Sequence, residues 1–206
     1  MNKSLYSLLL YDELVSAVDA EAVRLNTNRS NLINKILSDY FDIETPLTRR
    51  HDIFDELLKL FDNSFFRVES ALRDGMLSIY SPLRYRYNPT IRYNIEISRR
   101  GGETSGELRT YVRSQNISLL NELREFFYLW SSMEVALLKE LGYEPPRYEI
   151  SEGRYTRHFI FPANAETSEI AQNISRYINI LDEAMKNYLS SKNTNEVLKQ
   201  LMRIYE

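Results

Sequence analysis

The chain has no cysteine, so disulfides, zinc–cysteine sites and thiol chemistry are excluded from the start. It has two histidines, His51 and His158, far apart in sequence, with no His-x-x-x-His or Glu-x-x-His spacing around either. A shared metal is not expected, and each reads as an ordinary surface or half-buried residue. Glycine is scarce, and neither common glycine-rich phosphate loop is present. Gly101-Gly102 falls where a flexible hairpin tip explains it without a ligand. No nucleophile-elbow motif stands near a histidine. These absences argue against an enzyme, and no cofactor is expected. No apolar run approaches membrane-spanning length, and the N-terminus lacks the basic region and long apolar core of a signal peptide. The expectation is a cytoplasmic protein with no membrane partner. An excess of positive charge is missing too: 26 Lys and Arg stand against 29 Asp and Glu, a net charge of −3. That balance is no recommendation for a DNA binder, because phosphate neutralisation is the bulk term in such affinity.

What is present is an ordinary globular composition, 43% hydrophobic and 27% charged. A chain of 206 residues allows one large domain, or a small one and a medium one. The stretch from Leu5 to Phe41 organises the first fifth. Leu5 to Leu10 is too short and apolar for a surface helix, and it stops at Tyr11-Asp12-Glu13. Asp12 and Glu13 suit a helix N-terminus, where negative charge is favoured. Leu14, Val18, Ala22 and Leu25 then recur at helical spacing. Asn26 suits a helix end and Asn28 an N-cap. Leu32, Ile33, Ile36, Leu37 and Phe41 make a second apolar stripe. One strand and two helices of this length cannot enclose a core alone, so an obligate homodimer is expected.

That order of elements resembles the ribbon-helix-helix family of DNA-binding proteins. Leu10-Tyr11-Asp12-Glu13-Leu14 lies where the family has its strand-to-helix junction, usually Leu-Pro-Glu-Glu-Leu. Asn28-Arg29-Ser30-Asn31-Leu32-Ile33 lies where it has Ser-Arg-Ser-Glu-Leu-Ile, the start of the second helix. The resemblance implies two strands paired antiparallel across a dimer and entering the major groove of double-stranded DNA. It also implies a phosphate at the start of the second helix, around Asn28, Arg29, Ser30 and Asn31. If Leu10 points inward, alternation sends Tyr6 and Leu8 inward and Lys3, Leu5, Ser7 and Leu9 toward the bases. Lys3 and Ser7 can hydrogen-bond a base edge. Leu5 and Leu9 suit thymine methyls or another protein surface.

Beyond Phe41, Pro46 discourages helix at Thr45, so residues 43–51 read as a linker. Asp52 can cap a helix containing Ile53, Phe54, Leu57 and Phe61; Phe65, Val68, Leu72 and Met76 resume the helical spacing. Residues 46–79 are thus expected to form a helical connector with a solvated acidic face. From Tyr80 the period changes. Tyr85, Tyr87, Ile91, Tyr93, Ile95 and Ile97 alternate with polar residues, with a kink at Asn88-Pro89. Leu108 to Val112 alternate again after a loose turn, which predicts a β-hairpin. Asn116 or Ser118 can start a long apolar helix that contains Trp130 and ends before Gly142. Arg147–Ile150 and Arg154–Phe161 predict a second, tighter hairpin. Thr167 or Ser168 starts another helix, and Asn193-Thr194-Asn195 separates it from a last one. Strand, strand, long helix therefore occurs twice, compatible with a duplicated β-β-α unit in one mixed sheet with helices on one face.

Residues 84–113 carry seven arginines against Glu96, Glu103 and Glu107. Arg84, Arg86, Arg92, Arg109 and Arg113 can follow a phosphate backbone, forming a secondary basic patch. The plainer expectation is tyrosines packed on helices, with arginines on the opposite face solvated or paired with the acidic helices. The sequence as a whole predicts an α+β protein: a ribbon-helix-helix module (1–45), a helical connector (46–79) and an α+β domain (80–206). The expected function is a dimeric sequence-specific DNA-binding protein, a transcriptional repressor that occupies an operator. The alternatives are a plasmid partition or relaxosome accessory protein, and an interaction module that uses the N-terminal fold only to dimerise. A protein partner or small effector would engage the C-terminal domain.

Overall fold

The computed structural model describes residues 4–25, 27–62, 65–71, 75–85, 88–100, 103–162 and 164–206 (the side chains of 70, 71, 99 and 100 excepted). The helices are α1 (Asp12–Arg24), α2 (Arg29–Phe41), α3 (Pro46–Phe61), α4 (Ile117–Glu140), α5 (Thr167–Ser191) and α6 (Thr194–Tyr205). The strands are β1 (Arg67–Ala71), β2 (Met76–Pro82), β3 (Thr90–Arg100), β4 (Glu103–Val112), β5 (Tyr148–Ser151) and β6 (Arg154–Phe161). They form one sheet in the order β1-β2-β3-β4-β6-β5, every neighbouring pair antiparallel. The fold is α+β.

Asparagine sets three of the helix starts, because its side-chain carbonyl satisfies backbone N–H groups that the first turn leaves without a partner. Asn28 accepts from the Asn31 N–H at 2.9 Å, and Asn116 from the Leu119 N–H at 3.1 Å. Asn193 accepts from Asn195 and Glu196 at 3.1 and 3.3 Å. Helix α3 begins with a capping box between Thr45 and Thr48, followed by Pro46 at the first helical position. There the missing proline N–H costs nothing. Pro46 thus starts a helix rather than sitting in a linker, and residues 46–51, with His51, are its first turns. Asp52 lies inside that helix instead of capping it.

The helix expected to resume after Phe65 is not formed. Arg67–Ala71 and Met76–Pro82 are strands β1 and β2, and Gly75 turns between them at φ +63°. Leu72 lies outside the described residues. The helical spacing of Phe65, Val68 and Met76 gave way to cross-strand pairing that local periodicity cannot see. The sheet accordingly begins at Arg67 and α3 belongs to its core, so the helical connector and the boundary at 80 do not describe the architecture. Leu83 to Tyr85, Asn88 and Pro89 are not strand: the Leu83 N–H donates to the Pro89 carbonyl at 2.9 Å and Asn88 sits at φ 43°, while Tyr87 lies outside the described residues. The order strand, strand, helix does occur twice, as β3-β4-α4 and β5-β6-α5, but the sheet is antiparallel throughout, not mixed.

All the large helices after residue 45 lie on one face of the sheet. Helix α5 packs beside α3, and α6 crosses onto α5 and α4. Leu77, Ile79, Tyr93, Ile95, Leu108 and Tyr155 point from the sheet into this layer, where they meet Phe54, Leu57, Phe126, Trp130, Ile174 and Leu181. Trp130 is fully buried, as its place on an apolar helix predicts. At the centre of the layer sits a polar network. Glu134, with no exposed surface, accepts from Arg157 Nε and Nη2 at 3.0 and 2.8 Å and from the Tyr177 hydroxyl at 2.8 Å. Tyr205 donates to the same carboxylate. Trp130 Nε1 in turn donates to the Tyr177 hydroxyl at 2.7 Å, and the Tyr155 and Tyr177 hydroxyls are 2.8 Å apart. Burial, with the Glu134 charge adding to it, pushes the Tyr155 and Tyr177 hydroxyls well above the ordinary tyrosine range, so they stay protonated.

The N-terminal strand expected over Leu5–Leu10 is absent. Residues 4–10 have no regular structure and pair with no other strand. Helices α1 and α2 follow it where expected and pack on each other. Much of their apolar surface stays uncovered: Leu14, Val23, Ile36, Leu37 and Phe41 are all exposed.

Candidate nucleic-acid interface

Two surfaces carry the residues singled out in the sequence. The first is the N-terminal segment. Lys3 lies outside the described residues. Leu5 and Leu9 are fully exposed, at 100% and 104%, whereas Leu8 and Leu10 are at 53% and 41%. The expected alternation is followed only in part: Tyr6, expected inward, is 82% exposed, and every residue from 4 to 10 is exposed. At the start of α2, Asn28 and Asn31 are tied together by the cap, and the Ser30 carbonyl accepts from Asn34 Nδ2 at 2.7 Å. Arg29 is not free: its guanidinium forms a two-pronged ion pair with Asp19 of α1. That carboxylate neutralises the arginine expected to hold a phosphate and keeps its guanidinium more firmly protonated.

The second surface is the sheet face that no helix covers. Strand alternation places Arg92, Asn94 and Glu96 of β3 and Glu107, Arg109 and Tyr111 of β4 on it, together with Arg154, Thr156 and His158 of β6. Registers align these side chains in rows. One row runs Arg67, Tyr80, Arg92, Tyr111, Arg154 across β1, β2, β3, β4 and β6. Arg67 and Arg92 lie over the Tyr80 ring at 4.8 and 5.4 Å, and Arg154 over the Tyr111 ring at 5.5 Å. These are cation–π contacts that fix the guanidinium planes on the rings. The Tyr80 hydroxyl donates to Glu69 at 2.8 Å; partial burial and that acceptor raise its pKa. Arg92 also donates from Nη2 to Ser78 at 3.0 Å.

The neighbouring rows differ in charge. Arg109 is held by Glu107 and by Glu96 at 3.2 Å, and His158 Nδ1 stands 4.0 Å from Glu107. Among the described residues, none of Arg67, Arg92, Arg113 and Arg154 forms an ion pair with a carboxylate. Positive charge is therefore concentrated at one end of the face. A cleft of ≈ 980 Å³ opens there, lined by Tyr80, Arg92, Tyr111, Arg113, Arg154 and Glu152 among others. Gly153 makes its wall at φ +62°, where a Cβ would meet the Val112 carbonyl at 3.0 Å.

Of the basic patch read from the sequence, Arg92 and Arg109 share the open face, Arg113 lines the rim of the cleft, Arg84 is exposed after β2, and Arg86 lies outside the described residues. The expectation that tyrosines of residues 84–113 lie opposite the arginines holds for Tyr93, buried under α5, and fails for Tyr111; Tyr80, before that stretch, also lies on the arginine face. Sequence reasoning missed Arg67, Tyr80, Tyr111 and Arg154. For Tyr111 a signal existed, since Arg109, Tyr111 and Arg113 alternate on one strand. Arg67, Tyr80 and Arg154 join the row only through register, which no local pattern carries.

Among the described residues, no cluster of three or more His, Asp or Glu could hold a metal ion, and no helix is long and apolar enough to cross a membrane. No family model matches the chain, nor does any curated protein or solved structure.

Proposed function

We propose that the protein is a homodimeric DNA-binding protein that represses transcription from the cytoplasm, its N-terminal segments pairing as a ribbon between two copies. The observation that carries this reading is the apolar load left uncovered at one end of a single chain. Leu5 and Leu9 are wholly exposed, and Leu14, Ile36, Leu37 and Phe41 stand exposed on two short helices that pack mainly on each other. Contiguous apolar surface of this kind marks an interface. A ribbon formed between copies also accounts for the missing strand, since its hydrogen-bonding partner would lie on the second chain. The order of α1 and Asn28-capped α2 supports the resemblance to the ribbon-helix-helix family, and the exposed Ser7 is a base-reading group of the right chemistry.

One observation favours the alternative that this region only dimerises: Asp19 occupies the guanidinium of Arg29. Sedimentation of the full chain at micromolar concentration tests the pairing. The reading expects a dimer that Ile36→Asp converts to a folded monomer; a wild-type chain that sediments as a monomer contradicts it.

A further inference from the structure

We propose that the open face of the sheet binds single-stranded nucleic acid along the row Arg67, Tyr80, Arg92, Tyr111, Arg154. The inference is independent of the N-terminal reading, because it rests only on the sheet. Four observations carry it. The row is continuous across five strands, which at ~4.8 Å per strand is roughly 19 Å long. A single small anion would occupy only a fraction of that length, whereas a phosphate chain can follow all of it. Its three arginines have no carboxylate partner among the described residues, and Arg113 adds a fourth at the rim of the same cleft. Of the acids on this face, Glu96 and Glu107 hold Arg109 and Glu149 pairs with Arg147, while Glu69 accepts from the Tyr80 hydroxyl within the row and Glu152 lines the cleft.

The third observation is the alternation of cations with rings. Bases of a single strand stack on aromatic side chains and on guanidinium planes, while its phosphates pair with the same cations. A duplex keeps its bases stacked inside and offers no base face to the guanidinium groups that lie over Tyr80 and Tyr111. The rings therefore favour a single strand over a duplex as the occupant. The fourth is that the arginine planes are already held: Arg67 and Arg92 flank Tyr80, and Arg154 covers Tyr111. Less side-chain freedom remains to be lost on binding.

Fluorescence anisotropy of the full chain with a labelled oligothymidine of about 20 nucleotides, and with a duplex of equal length, tests the assignment. Arg154→Glu and Tyr111→Ala are the test variants, both at sites away from the core. Lys199→Glu, on the exposed side of α6 in the helical layer, is the charge control, and thermal melts verify folding of each. The expected result is single-strand binding that weakens about tenfold in each test variant and is unmoved by the control. With three to four phosphates neutralised, the logarithm of affinity should fall with the logarithm of salt at a slope of about −2 to −3. Single-strand binding where duplex binding is absent supports the sheet-face site, and the N-terminal reading stands or falls separately on sedimentation and duplex selection. Absence of single-strand binding at low salt overturns the proposal. So does an effect of Arg154→Glu no larger than that of Lys199→Glu, or equal losses for single strand and duplex.

Discussion

Glu134 and Arg157 meet at 2.8 Å inside the helical layer, the carboxylate with no exposed surface and the guanidinium with almost none. Taking two charges out of water is costly, and only a full set of hydrogen bonds offsets it. Here the carboxylate has three donor residues, Arg157, Tyr177 and Tyr205, and Arg157 further lies over the Phe159 and Tyr177 rings at 4.2 and 4.4 Å. The pair ties α4, β6, α5 and α6 to one point. Glu134→Ala leaves a buried guanidinium without its counter-ion and should cost about 3–5 kcal/mol. For a chain of this size that corresponds to a fall in Tm of roughly 10 °C in a thermal melt. Glu134→Met with Arg157→Leu, which removes both charges, should cost clearly less than the single change. If the double variant is the weaker, the penalty lies in lost packing rather than in the stranded charge.

At the scale of elements, much of the helical architecture was legible, as were the hairpins β3-β4 and β5-β6, whereas β1, β2 and the order of strands across the sheet were not. Asn28, Asn116 and Asn193 mark helix starts by bonds within three residues of themselves, so the signal lies in the sequence next to them. The strand at Arg67–Ala71 had no such mark. Val68 and Met76 also fit a helical period, and only pairing with β2 and β3 decides the matter. The same limit hid the Arg67-to-Arg154 row while leaving visible the alternation Arg109, Tyr111, Arg113 along the chain, which shares only Tyr111 with that row. A further prediction belongs to the seam between α2 and α3. His51 of α3 is half-buried; desolvation first, then Lys35 of α2 and Arg50, hold its pKa below the ordinary histidine value. The folded state therefore takes up this proton less readily than the unfolded chain. Stability should be unaffected by His51 above about pH 6.5 and should decline as pH falls below it. Denaturant titrations between about pH 7.5 and 5.5 should show the decline in wild type and a smaller one in His51→Gln; equal slopes would remove this account of the seam.

For the whole molecule, the two surfaces lie on different parts of the chain, one at residues 5–41 and the other on strands between Arg67 and Phe161. The N-terminal segment leaves apolar side chains exposed, which the proposed dimer would cover with a second copy, while the sheet presents cations and rings to solvent. The net charge of −3 means that neither surface gains from a general positive field. Affinity for nucleic acid would have to come from local arrangement, doubled where two copies join. The exposed segment holding Leu5, Ser7 and Leu9 is central to this account, because the dimer, the missing strand and the reading of DNA all depend on it. The most direct test is selection of duplexes from a random pool by the full-length protein at low salt, followed by titration of the enriched sequence at two salt concentrations. The account predicts enrichment of two half-sites related by a two-fold axis, and relaxed preference in Ser7→Ala at roughly 1–3 kcal/mol for the lost base contact, with the melting temperature unchanged. Retention of no duplex at low salt would contradict it.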